Sequence, residues 1–85
     1  MDQFKHHAQS LESPATRIAE VVPSDTADLP FVTRAISVEQ AGHLRVVTSA
    51  GDTGRFFLAA GVPFPIRAIR ILATGTTATG IVGLA

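Results

Sequence analysis

Apolar and polar residues alternate along this chain in short runs, and clusters of Gly, Pro, Asp, Ser and Thr separate the runs. Arg17 to Val22 places Ile18 and Val22 on one side with Glu20 between them and stops at Pro23. That predicts a short strand at a sheet edge, because proline cannot donate to a ladder. Phe31 to Val38 puts Arg34, Ile36 and Val38 on one face and Thr33, Ala35 and Ser37 on the other, the pattern of a strand with one apolar face. Leu44 to Ser49 is a β-rich run closed by Ala50-Gly51-Asp52-Thr53-Gly54, with Arg55 to Ala59 as its hairpin partner. Gly61-Val62-Pro63-Phe64-Pro65 then interrupts the pattern. Ile66 to Thr74 alternates again, with Ile66, Ala68, Arg70 and Leu72 on one face and Arg67, Ile69, Ile71 and Ala73 on the other. Gly75 breaks that run, and Thr79 to Leu84 is a last strand loosened by glycine.

The connecting stretches carry their own signals. Pro23-Ser24-Asp25-Thr26-Ala27-Asp28-Leu29-Pro30 is turn chemistry throughout, since Ser, Asp and Thr side chains bond their own backbone and proline fixes φ. A single helical turn beginning near Ser24 would end at Pro30. Residues 1–16 show neither alternation nor a helical stripe and end near the breaker pair Ser13-Pro14, which predicts an extended N-terminal arm whose isolated apolar groups, Phe4 and Leu11, dock on something. No segment holds a helical stripe for three turns. About six short strands with turn signals every 8–12 residues predict an all-β fold, a small β-sandwich or barrel over residues 17–85 as a single domain.

Composition bounds what such a domain can do. With 85 residues and no cysteine it has neither a disulfide nor a thiolate metal site, and a chain this short buries only about 60–65% of the surface its unfolded form exposes. At 46% apolar, 16% charged and a mean hydropathy of +0.31, it carries more apolar surface than a solvated monomer of this size needs. Association with other chains is the means of stabilisation left.

The formal charge is zero, which argues against a nucleic-acid binder held by phosphate contacts. The zero is unevenly made. Residues 1–28 carry Asp2, Glu12, Glu20, Asp25 and Asp28 against Lys5 and Arg17; residues 29–52 balance; and after Asp52 there are only Arg55, Arg67 and Arg70. Opposite ends of the chain can therefore pair within one subunit or between neighbouring copies. Residues 1–16 lack the apolar stretch of a signal peptide, and the small-residue run from Ala73 to Ala85 is too short for a bilayer, so no membrane partner is expected.

The candidate motifs for chemistry are weak. Asp52-Thr53-Gly54 has the letters of an aspartic-protease loop, but Ala50 and Gly51 precede it and Arg55 follows, which suits an exposed hairpin. Gly75-Thr76-Thr77-Ala78-Thr79-Gly80 has phosphate-loop spacing without the lysine, and a β-turn is the better reading. His6 and His7 are adjacent and would point apart on a strand, and His43 stands alone, so no metal site is expected. Phe31, Phe56, Phe57 and Phe64 lack the interleaved cations of a stacking platform and read as core. Phe56 and Phe57, as strand neighbours, must face opposite ways. No enzyme and no cofactor is expected.

Several stretches taken together resemble a known family. Ser13-Pro14, Val22-Pro23-Ser24-Asp25-Thr26, Asp28-Leu29-Pro30, Thr33-Arg34-Ala35 and the run from Ala73 to Ile81 are similar to the head spike-base proteins of gene-transfer agents and related tailed phages, with Ala-Thr-Gly-Thr-Thr-Ala-Thr the most specific part. The resemblance implies a structural protein on the outside of an icosahedral head, homo-oligomeric (pentamer or trimer), made in the bacterial host cytoplasm and assembled into the virion. The major capsid protein and a spike fibre protein are its implied partners. A trimeric cement or decoration protein at threefold sites is the variant of that reading, and a glycan-binding β-barrel module is the alternative from another class. Candidate capsid or subunit-interface residues are Phe4 and Leu11 in the arm, Pro23, Asp25, Asp28 and Leu29 in the turn-rich loop, Arg34, Arg67 and Arg70 among the cations, and Thr76 and Thr77 in the Thr/Gly run.

Overall fold

The computed structural model describes residues 14–85, which form seven strands and no helix. They are β1 (Ile18–Val21), β2 (Ala35–Ser37), β3 (Gly42–Thr48), β4 (Thr53–Leu58), β5 (Phe64–Pro65), β6 (Ala68–Leu72) and β7 (Ile81–Leu84). One antiparallel sheet has the order β1-β7-β2-β5 and the other β4-β3-β6. No strand is shared between the sheets, so the fold is a sandwich rather than a closed barrel.

Register decides which side chains fill the space between the layers. From the four-stranded sheet come Ile36 and Ile81; from the three-stranded sheet come Leu44, Val46, Leu58, Ala68 and Ile71, with Val38 and Ala78 closing one end. Val21, Leu29, Phe56 and Ile66 pack around this core at its margin. The β3–β4 hairpin forms as its alternation requires. Thr48 and Gly51 close the turn through a Gly51 N to Thr48 O bond of 2.9 Å, and Gly51 takes φ +93°, a region that favours glycine.

Four local readings of the sequence change in the structure. First, β1 is the expected edge strand, but its faces are exchanged: Val21 pairs with Ile81 and Ala19 with Gly83, both buried positions. Ile18 and Val22 therefore point outward, 72% and 87% exposed. Second, β6 contains a bulge. Val47 pairs with Arg70 and Thr48 with Ala68, leaving Ile69 without an opposite residue. The extra residue flips the phase, so Ala68 and Ile71 both face inward and strict alternation fails. Third, Phe64–Pro65 is a short strand paired with Ala35 and Ile36, and proline is tolerated there because β5 is an edge. The stretch from Phe31 to Arg34 is irregular, and only Ala35–Ser37 is strand. Fourth, the phenylalanines are not all core: Phe57 is 61% and Phe64 37% exposed, Phe56 stacks on Phe64 with ring centroids 4.6 Å apart, and Phe31 lies under the Arg17 guanidinium at 4.6 Å.

The loop after β1 runs along the free edge of β6. Ser24 N donates to Ile71 O, Leu29 N to Ile69 O and Thr33 N to Ala68 O, at 2.8, 2.8 and 3.1 Å. Its turn forms around Ser24, whose Oγ accepts from the amides of Thr26 and Ala27, as the Ser/Asp/Thr content predicts. No helical turn forms at Ser24.

Candidate interaction surfaces

The sequence candidates fall into separate places. Phe4 and Leu11 lie outside the described residues. In the loop, Pro23 and Leu29 are half-buried, Leu29 against the core margin, while Asp25 and Asp28 are exposed. The Asp25 carboxylate accepts from Thr74 twice, from the backbone amide at 2.9 Å and from Oγ1 at 2.7 Å. These bonds favour its charged form and hold its pKa below the ordinary value, with a smaller contribution from the Arg45 charge. Asp28 forms a forked pair with Arg70, Nε at 2.8 Å and Nη2 at 2.7 Å. One acid of the early segment, Asp28, thus meets one cation of the late segment, Arg70, within the chain at the β6 edge.

Thr76 and Thr77 are tied to β3. Thr76 Oγ1 accepts from the Arg45 amide at 3.0 Å and Thr77 Oγ1 from the His43 amide at 2.9 Å. Gly42 makes this approach feasible: a Cβ there would stand 2.6 Å from Ala78 N, so only glycine leaves room for the Thr/Gly run to cross β3. Arg34 is half-buried, with its main chain bonded to Leu84 and Ile66. Arg67 is exposed near the hairpin turn, where its carbonyl accepts from the Ser49 amide. Asp25, Asp28 and Arg70 therefore form one cluster, flanked by the Leu29–Ile69 main-chain bond, Thr76 and Thr77 form a second, and Arg34 and Arg67 stand apart from both.

Two surfaces emerge that the sequence did not single out. On the outer face of the three-stranded sheet, Arg45 pairs with Arg55 and His43 with Phe57 across the hairpin. The His43 and Phe57 rings meet edge to face, 5.5 Å between centroids. On the outer face of the four-stranded sheet, Glu20, Val82 and Ser37 form one cross-strand row. That row opens into a cleft of about 480 Å³ whose walls include Val22 and Glu39. Centring the hairpin turn on Ala50 would have given the Arg45–Arg55 pairing from sequence. The cleft depends on the long-range pairing of β1 with β7 and had no local signal.

Among the described residues no three His, Asp or Glu side chains converge as metal ligands. Asp52-Thr53-Gly54 is exposed in the hairpin rather than buried at an axis, and an aspartic-protease site needs the buried arrangement.

Comparison with protein-family models and with curated proteins produces no match. Among solved structures, a chain in the capsid of a native gene transfer agent (GTA) particle, computed with C5 symmetry, is 47% identical, with a TM-score of 0.80. The alignment covers 100% of both chains. Nearly half of the residues are shared from end to end on the same fold, and this protein therefore belongs to the family of that gene transfer agent capsid chain and is a structural component of the virion.

Proposed function

We propose that the chain acts on the outside of an icosahedral phage-like head, where it forms a homo-oligomer at the vertices, contacts the major capsid protein and seats a spike or fibre. The observation that carries this reading is the 47% identity, over the full length of both chains, to a chain in a capsid computed with C5 symmetry, the rotational symmetry of an icosahedral vertex. The Thr/Gly run and the turn-rich loop, which carry the resemblance to spike-base proteins, support it. Both are used inside the subunit to fix β3 and β6, as expected for motifs that specify a fold. The reading includes no enzymatic role.

The test is the position of the protein on purified particles. Particles carrying a C-terminally tagged copy, imaged by cryo-electron microscopy without imposed symmetry, are expected to show fivefold density above the vertices. Three copies at quasi-threefold sites would replace the vertex reading with that of a cement protein. Particles lacking the gene product are expected to lose their spikes while still filling their heads.

A further inference from the structure

The charges left without an ion-pair partner among the described residues on the two outer faces of the sandwich are opposite in sign. On the three-stranded sheet Arg45 and Arg55 are direct cross-strand partners, and like charges placed so are destabilising. Asp25, held by Thr74, sits close enough to offset part of the Arg45 charge. Arg55 is exposed and has no hydrogen-bond or carboxylate partner among the described residues. Beside it Phe57 is 61% exposed. An uncompensated cation thus stands beside a ring that packs edge to face on His43 and otherwise faces solvent.

The four-stranded sheet presents the complement. Glu20 and Glu39 are exposed at the cleft and neither has an ion-pair partner among the described residues. Val22, 87% exposed, forms part of the same wall, and Ile18, 72% exposed, lies on the same face of β1. Each surface thus sets exposed apolar groups beside charges that have no ion-pair partner among the described residues, Arg55 on one and Glu20 and Glu39 on the other, and those charges are opposite in sign.

We infer that these faces bind each other between copies: the Arg55–Phe57 face of one subunit docks on the Glu20–Glu39 cleft of the next. This rests on the reading of the chain as a homo-oligomeric head protein and names the contact that builds the oligomer. A twofold contact through either face would set like charges together. The contact is therefore head-to-tail, the kind that generates a closed ring when its rotation closes. Charge complementarity also steers encounter and fixes register.

Native mass of the full chain by sedimentation or light scattering, over a dilution series at low salt, tests the contact. The wild type is expected to be oligomeric and to dissociate as salt rises. Arg55→Glu and Glu20→Arg are each expected to weaken association about tenfold or more, and Arg55→Glu combined with Glu20→Arg to restore it to within about threefold. Both positions are exposed, and circular dichroism of each variant confirms the fold. Should one variant not fold, Arg55→Gln and Glu20→Gln in its place still predict weaker association and a shallower salt dependence.

Single variants that associate like the wild type, or a double variant no better than the singles, would overturn the inference. A wild type that is monomeric yet binds purified heads would also overturn it and leave the head-surface reading intact. Correct charge-swap behaviour in a protein that never copurifies with heads would leave the contact standing and remove the head-surface reading.

Discussion

Thr33 satisfies both backbone polar groups of Ala68: its amide donates to the Ala68 carbonyl at 3.1 Å, and its hydroxyl accepts from the Ala68 amide at 3.0 Å. The same hydroxyl donates to the Ile66 carbonyl at 2.6 Å, and Thr33 is fully buried. One side chain thereby fixes the start of β6 against the segment that precedes β2.

Thr33→Val keeps the shape and removes the hydroxyl, leaving the buried Ala68 amide and the part-buried Ile66 carbonyl each short of a partner. The expected loss is about 2–4 kcal/mol, read as a lower urea midpoint at constant slope. Thr33→Ser keeps the bonds, loses one methyl packed near Gly83 and costs about 1 kcal/mol. Equal losses for the two variants would show that the hydroxyl is not the important part.

Gly42 and Gly54 separate steric from conformational effects on the same hairpin. A Cβ at Gly42 meets backbone atoms of Ala78 at 2.6 and 2.8 Å, whereas a Cβ at Gly54 meets nothing within 4 Å. Backbone cannot swing aside, so Gly42→Ala is expected to cost about 2–3 kcal/mol, and Gly54→Ala to stay within about 0.5 kcal/mol. Thermal melts of the two variants side by side give the comparison.

Asp25 makes stability depend on pH in the acid range. Its pKa in the folded protein lies below the ordinary 3.8 because Thr74 donates to it twice. A carboxylate lowered on folding contributes stability that is complete above its unfolded pKa and is lost as pH falls through the folded one. Wild type should therefore exceed Asp25→Asn by a constant margin near neutrality, and the margin should shrink below about pH 4. Urea midpoints measured for both proteins between pH 7 and about pH 2.5 provide the check.

The Asp28–Arg70 pair is exposed, with side chains 57% and 30% accessible. Asp28→Asn is expected to cost no more than about 1 kcal/mol, and less at high salt. A larger, salt-independent loss would mean that Asp28 holds the loop by something other than charge.

Local signals sufficed wherever the structure is local. The β3–β4 hairpin, the edge position of β1, the turn around Ser24 and the outward aspect of one of the Phe56–Phe57 neighbours all follow from residues close in sequence. What depends on distant partners did not. The face of β1 is set by β7, some sixty residues later, and the bulge at Ile69 by the register of β3 against β6. Phe64–Pro65 becomes a strand only because β2 offers it an edge. Thr33 looked like a solvent-side residue on an alternating strand, yet three hydrogen bonds that span more than thirty residues bury it. The charged faces follow the same rule: Arg55 was visible as a late cation, but its opposition to Arg45 and the grouping of Glu20 with Glu39 are products of register.

The loop laid along β6 also bears on how a virion component avoids aggregating with its own kind. A bare strand edge is a template for uncontrolled sheet growth, and crowding on a shell would make such growth fast. With three loop amides already bonded to the Ala68, Ile69 and Ile71 carbonyls, that rim has little to offer an incoming strand, and β5 at the far end of the other sheet ends at Pro65. Among the described residues, β1 and β4 keep open borders, one in each layer. Two of the four sheet rims are thus closed to strand addition, which narrows the ways in which copies could join edge to edge into fibres.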